Sequence, residues 1–93
     1  MYYRNADEIS AILQNDPGLR SRFTSLARSG MPAVNSLARS GRATISAGDL
    51  LGLHGFLVDL QARSGARLRM DIDFILRGIE TGWLLRWLGV TVT

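Results

Sequence analysis

Residues 46–64 read SAGDLLGLHGFLVDLQARS, and residues 71–88 read DIDFILRGIETGWLLRWL. Both space their large apolar residues three and four apart, which lays them along the side of an α-helix. Ser46 is a favoured N-cap, and Asp49, three residues on, suits the positive end of the helix dipole. Within the first stretch Leu50, Leu53, Leu57 and Leu60 share one side, and Leu51, Val58 and Ala62 another. A helix this apolar around its girth belongs at the centre of a fold. The second stretch predicts a stripe of Ile72, Ile75, Leu76, Ile79, Trp83 and Trp87, with Phe74, Leu85 and Leu88 on a different side. Only Gly65–Met70 separates the two, so they are expected to form a hairpin with Ser46–Ser64 and Ile72–Leu88 as its arms.

Each arm carries two glycines four residues apart, Gly48 and Gly52 on one and Gly78 and Gly82 on the other. Glycine inside a helix costs about 1 kcal/mol relative to alanine. Close approach of the two helix backbones accounts for that cost; a kinked or frayed first helix is the rival explanation.

Outward from the hairpin the chain is simpler. Asn5 and Glu8 form a capping-box pair for a helix over Ala6–Gln14, with Ile9, Ile12 and Leu13 as its inner stripe. Asp16-Pro17 starts the next, aspartate capping and proline taking the first helical position. Leu19, Phe23, Leu26 and Ala27 share its face, and Gly30 is expected to end it. A short third helix from Pro32, carrying Val34, Leu37 and Ala38, then stops at Gly41. Ser25–Gly30 recurs letter for letter as Ser36–Gly41, and its tail returns at Ala62–Gly65. Arginine followed by glycine suits a helix C-terminus, so the copies read as three helix stops. Residues 42–45 are a linker. Alternation in 67–72 and 90–93 suggests that these two pieces pair as a short β-ribbon. The expected fold is therefore all-α: one domain over residues 1–93, four to five helices in a compact bundle around the C-terminal helical hairpin.

Composition narrows the function classes. No cysteine is present, which excludes disulfides and thiol chemistry. There is no signal-like N-terminal segment and no run of ~20 apolar residues that would span a bilayer, so a cytoplasmic protein is expected. His54, the single histidine, lies among leucines, with Asp49 and Asp59 five residues away on other faces; it reads as a hydrogen-bonded structural residue rather than a general base. Asp71-Ile72-Asp73 is a helix start more readily than a metal site. No phosphate-cradling glycine loop exists. The expectation is a non-enzymatic protein without a cofactor or metal.

Two surfaces stand out. All eleven basic residues are arginine, the formal charge is +3, and no acid occurs from residue 17 to residue 48. Arg20, Arg22, Arg28, Arg39 and Arg42 there suit an anionic partner, nucleic acid included. Helices flanking Gly30-Met31-Pro32 have a helix-turn-helix outline, although Ser36 and Arg39 stand where that motif carries apolar residues. The arginines are also what a GC-rich genome encodes, or a solvated face. The second surface is apolar: Phe74, Trp83, Leu84, Leu85, Arg86, Trp87 and Leu88 form a helix end with large side chains on two faces. One face meets the core, and the other fits a protein partner or a second copy of the chain in a homo-oligomer. Asp49-Leu50-Leu51-x-Leu53 with Gly78-Ile79-Glu80-Thr81 and Leu84-Leu85-Arg86 resembles the C-terminal helical part of type III secretion inner-rod subunits, which implies assembly. The resemblance covers less than half the chain, is interrupted at Gly82-Trp83, and assigns no family.

Overall fold

In the computed structural model the backbone is described for residues 2–40 and 43–93, and the side chains for residues 5–28 and 44–93. These residues form α1 (Tyr2–Asn15), α2 (Pro17–Ser40), β1 (Ala43–Ile45), α3 (Ala47–Ala62), α4 (Ala66–Thr81), α5 (Trp83–Leu88) and β2 (Val90–Val92). The class is all-α. The radius of gyration, 13.4 Å, is that of a compact chain of this length.

Local signals act where they are strongest. The Leu19 N–H donates to Asp16 Oδ1 at 3.0 Å, so Asp16 caps α2. Ser46, in extended conformation at φ −71° and ψ 152°, accepts from the Asp49 N–H and caps α3. Antiparallel α3 and α4 pack around Phe56, Leu60, Leu68, Ile72 and Leu76, and Leu19 of α2 closes this core. Ile9, Ile12 and Leu13 of α1, with Leu26 and Leu57, pack against it.

Four expectations need correction. First, α2 runs unbroken from Pro17 to Ser40. Gly30 and Pro32 are helix costs of about 1 and 3 kcal/mol, not prohibitions, and the flanking segments are good helix formers. The helix-turn-helix outline is lost with the break, and the first Arg-Ser-Gly copy lies inside a helix. Gly41 and Arg42 lie outside the described residues.

Second, residues 67–72 are helical. Leu68 and Ile72, four apart, are buried together, while Met70 between them is 73 % exposed; the helical period continuing through Leu76 overrides the short alternation. The ribbon that does form pairs β2 with β1, parallel, in the register Ala43↔Val90, Thr44↔Thr91 and Ile45↔Val92.

Third, the second arm begins at Ala66 and ends at Gly82. Gly82 sits at φ 80°, the left-handed region, and its N–H donates to the Ile79 carbonyl at 3.2 Å. The chain turns there and starts α5. Gly78 is the floor on which α5 lies: a Cβ at Gly78 would stand 2.8 Å from Leu84 Cβ and 3.2 Å from the Trp83 ring. The glycines of the two arms therefore do not face each other. Gly52 and Gly55 face Leu26 and Arg22 side chains of α2, and nothing stands close to Gly48.

Fourth, α1 starts at Tyr2, so Asn5 and Glu8 lie inside it and do not cap it. They reach across the molecule instead. Asn5 Nδ2 donates to Asp71 Oδ2 at 2.7 Å, and Glu8 Oε2 accepts the Gly65 N–H at 2.6 Å. Gly65 is the N-cap of α4 and has no side chain to cap with; Glu8 supplies a carboxylate to that helix start from a distant element. Asp71, read as a helix start, lies within α4.

Candidate functional site

The break at Gly82 moves the tryptophans. A continuous helix would string Trp83 and Trp87 along the Ile72–Leu76 stripe. Instead α5 folds onto the side of α4 that carries Phe74, and Trp83 meets Phe74 edge-on with ring centroids 5.2 Å apart. Met70 lies one turn before Phe74 on α4, and Trp87 one turn after Trp83 on α5, so the four share a continuous outer stripe. Trp87 is 76 % exposed, Met70 73 % and Phe74 61 %. Trp83 and Leu88 are exposed to about two-fifths. No residue of α5 is buried.

The remaining predicted residues divide. Leu84 and Leu85 are half-buried, and Leu84 lies against Gly78, where it seats α5 on α4. Arg86 is exposed. Residues beyond the predicted set extend the apolar surface: Met70 on α4, and Leu51 and Val58 on α3, the first 73 % exposed. The all-round apolarity of α3 was the available signal, because its core side engages only Phe56 and Leu60 fully.

Polar pairs run along the seam between α3 and α4. His54 Nε2 lies 2.9 Å from Glu80 Oε1, Arg77 Nε lies 2.9 Å from Asp73 Oδ2, and Gln61 Nε2 donates to the Arg69 carbonyl at 3.0 Å. An open groove of about 640 Å³ follows this seam, lined by Gln61, Arg69, Met70, Asp73, Phe74 and Arg77. His54 thus has a carboxylate partner, but from α4, twenty-six residues on. The pair holds the C-terminal turn of α4 against α3. Among the described residues no three histidine, aspartate or glutamate side chains gather as a metal site would need.

The arginine surface is less concentrated than its sequence. Arg22 is paired with Asp59 of α3, so the acid-free segment is not acid-free in space. Arg20 and Arg28 are exposed and have no carboxylate partner among the described residues. The side chain of Arg39, and Arg42 altogether, lie outside the described residues. At the opposite end of the hairpin Arg63 Nε lies 2.6 Å from Asp16 Oδ2. The Leu19 N–H is the foremost cause that holds the Asp16 carboxyl below its usual value. Partial desolvation opposes it, and Arg63 adds to it.

No protein-family model matches the chain, and neither curated proteins nor solved structures show a significant similarity to it. Among the described residues no helix is long and apolar enough to cross a membrane.

Proposed function

We propose that this is a small, non-enzymatic helical protein that acts by protein–protein contact, with itself or another chain, through the surface centred on Phe74, Trp83 and Trp87. The observation that supports this reading is the run of exposed side chains Met70–Phe74–Trp83–Trp87. With Leu88 it makes an exposed run of large apolar side chains of the kind that marks an interaction site. Two tryptophans with an arginine between them are the residue types that dominate interface energetics. The polar pairs Asp73–Arg77 and His54–Glu80 beside the stripe give it a hydrogen-bonding rim.

Sedimentation equilibrium over a wide concentration range tests the reading. Mass is expected to rise with concentration in the native chain and to stay monomeric in Phe74→Ser and Trp87→Ser, both of which alter exposed positions. A native chain that is monomeric throughout sinks self-association. A second reading is favoured by the exposed Arg20 and Arg28: an anionic partner, nucleic acid among them. Binding of DNA or RNA that weakens steeply with salt supports it; salt-independent binding contradicts it.

A further inference from the structure

The β1–β2 ribbon has an open side. The sheet contains two strands among the described residues, so each is an edge. The Thr93 N–H donates to the Ile45 carbonyl at 2.9 Å, and the Ala47 N–H to the Thr93 carbonyl at 3.0 Å. These bonds set the phase of the ladder: Thr93, and with it Thr91, turns its backbone groups toward β1. Alternation along a strand then turns the N–H and C=O of Val90 and Val92 away from β1. Natural edge strands are guarded by charge, proline, a bulge or very short length; residues 87–93 hold neither a charged residue nor a proline, so the three-residue length of β2 is the guard it has. Three paired residues per strand, in parallel, are also fewer than stand comfortably alone.

We infer that the outer edge of β2 pairs with β2 of a second copy, antiparallel about a two-fold axis, with Thr91 opposite its own counterpart. This rests on the reading of the aromatic stripe as a self-association face. In that register Val90 of each chain exchanges two N–H···O=C bonds with Val92 of the other, so all four outward groups on each strand are used. The cross-strand pairs are Val with Val and Thr with Thr, β-branched neighbours that suit a pleated surface. A two-fold axis needs a self-complementary strand, and Val-Thr-Val is one. At the strand itself charge does not oppose pairing: each chain carries +3 overall, but residues 87–93 hold no charged side chain, and the exposed Arg86 stands at their border. A stable interface takes roughly 800 Å² per partner, and strand pairing would bring in the exposed Trp87 and Leu88, next to β2 in the chain, together with Val92, itself 43 % exposed.

Three variants of the full chain decide it. Val92→Pro removes only an N–H that points away from β1, so the internal ladder keeps its bonds while the outer edge loses a donor. Its dimer is expected to weaken at least tenfold by sedimentation equilibrium, with the helical circular dichroism unchanged. Thr91→Cys, the only thiol in the chain, is expected to form a covalent dimer under oxidised glutathione. Non-hydrogen-bonded antiparallel partners stand about 4.5 Å apart at Cα, within disulfide reach. Trp87→Ser separates the two ideas. A dimer lost in Trp87→Ser but undiminished in Val92→Pro, with no cross-linked Thr91→Cys, overturns strand pairing and leaves the stripe reading standing. A native chain that is monomeric at every concentration overturns both, as does a monomer whose β2 edge takes an unrelated extended peptide instead. Should Val92→Pro lose its helical signal, the Thr91→Cys cross-link decides alone: its formation supports strand pairing, and its absence overturns it.

Discussion

The two ends of the α3–α4 hairpin are built on opposite plans. At the turn end, around Arg63–Gly65, three polar groups from α1 and the cap of α2 converge: Asn5 on Asp71, Glu8 on the Gly65 amide, and Asp16 on Arg63. The core residues Leu60 and Leu68 lie beneath them, each 2 % exposed. At the other end α5 and the ribbon leave large side chains exposed, Trp87 at 76 % and Val92 at 43 %, while Leu84 and Leu85 are half-buried. The side chains that reach the turn from outside the hairpin are polar, whereas at the α5 end the polar His54–Glu80 pair stands beside large apolar side chains that stay exposed, in a stripe that reaches back along α4 to Met70. Among the described residues, two of the six core residues, Leu60 and Leu68, lie at the turn end, and the most exposed aromatic side chain, Trp87, lies at the other.

The sharpest way to break that contrast is to truncate a large side chain at each end. Leu60→Ala should cost about 3 kcal/mol of unfolding free energy, the range for truncating a buried leucine. Trp87→Ala, removing a larger side chain, should cost no more than about 0.5 kcal/mol at concentrations where the chain is monomeric. Urea denaturation measures both, and equal losses would refute the division.

Next in size is the joint between the ends. Gly78→Ala should destabilise by about 1–3 kcal/mol, because its new methyl meets Leu84 Cβ rather than a flexible tip. The same variant should change the near-ultraviolet circular dichroism of Trp83 as α5 is pushed off α4. An unaltered aromatic signal would mean that α5 is not seated on that glycine.

Glu8→Ala removes the carboxylate that caps α4 and should cost about 1 kcal/mol, as loss of a helix cap does. Glu8→Gln keeps an acceptor oxygen for the Gly65 N–H, so it should lose less. Equal melting temperatures for the two variants would contradict the cap. The smallest effect is a pH dependence. The folded Asp16 carboxyl titrates below its ordinary value, so its contribution is complete above the unfolded pKa and fades as pH falls through that value toward the folded one. Asp16→Asn should flatten the acid limb of the stability profile below about pH 4 and leave the neutral region almost parallel to the native curve.

Much of this was legible where the cause is local. Ser46 with Asp49, and Asp16 with Pro17, mark helix starts within four residues, and the structure uses both. The hairpin itself follows from apolar spacing. What was not legible needed distant information. Nothing near Gly82 announces a stop, because Trp83–Leu88 continues the helical pattern; only the packing of α5 on Gly78 selects the left-handed turn. Glu8 beside Asn5 has the form of a local cap, and its true partner is fifty-seven residues away. The ribbon pairs 43–45 with 90–92, and no alternation in 67–72 reveals that. For the candidate surface, spacing identified Phe74, Trp83 and Trp87 as large apolar groups at one helix end but not which of its two faces is covered. Periodicity tells which residues share a side of a helix, not whether that side is covered. Met70 shows the same limit, since a strand period groups it with two residues that are buried.

The ribbon has a consequence for how the chain assembles. Joining β1 to β2 makes a clasp around α3, α4 and α5, because everything between Ile45 and Val90 lies inside the loop it closes. Bringing ends that far apart together costs about 3 kcal/mol of chain entropy, more than a few short parallel bonds return. The hairpin, whose contacts are close in sequence, can form without it. The clasp is therefore expected to shut after the hairpin has formed and to open before it does, so the free strand edge would exchange between paired and unpaired states while the hairpin core stays folded.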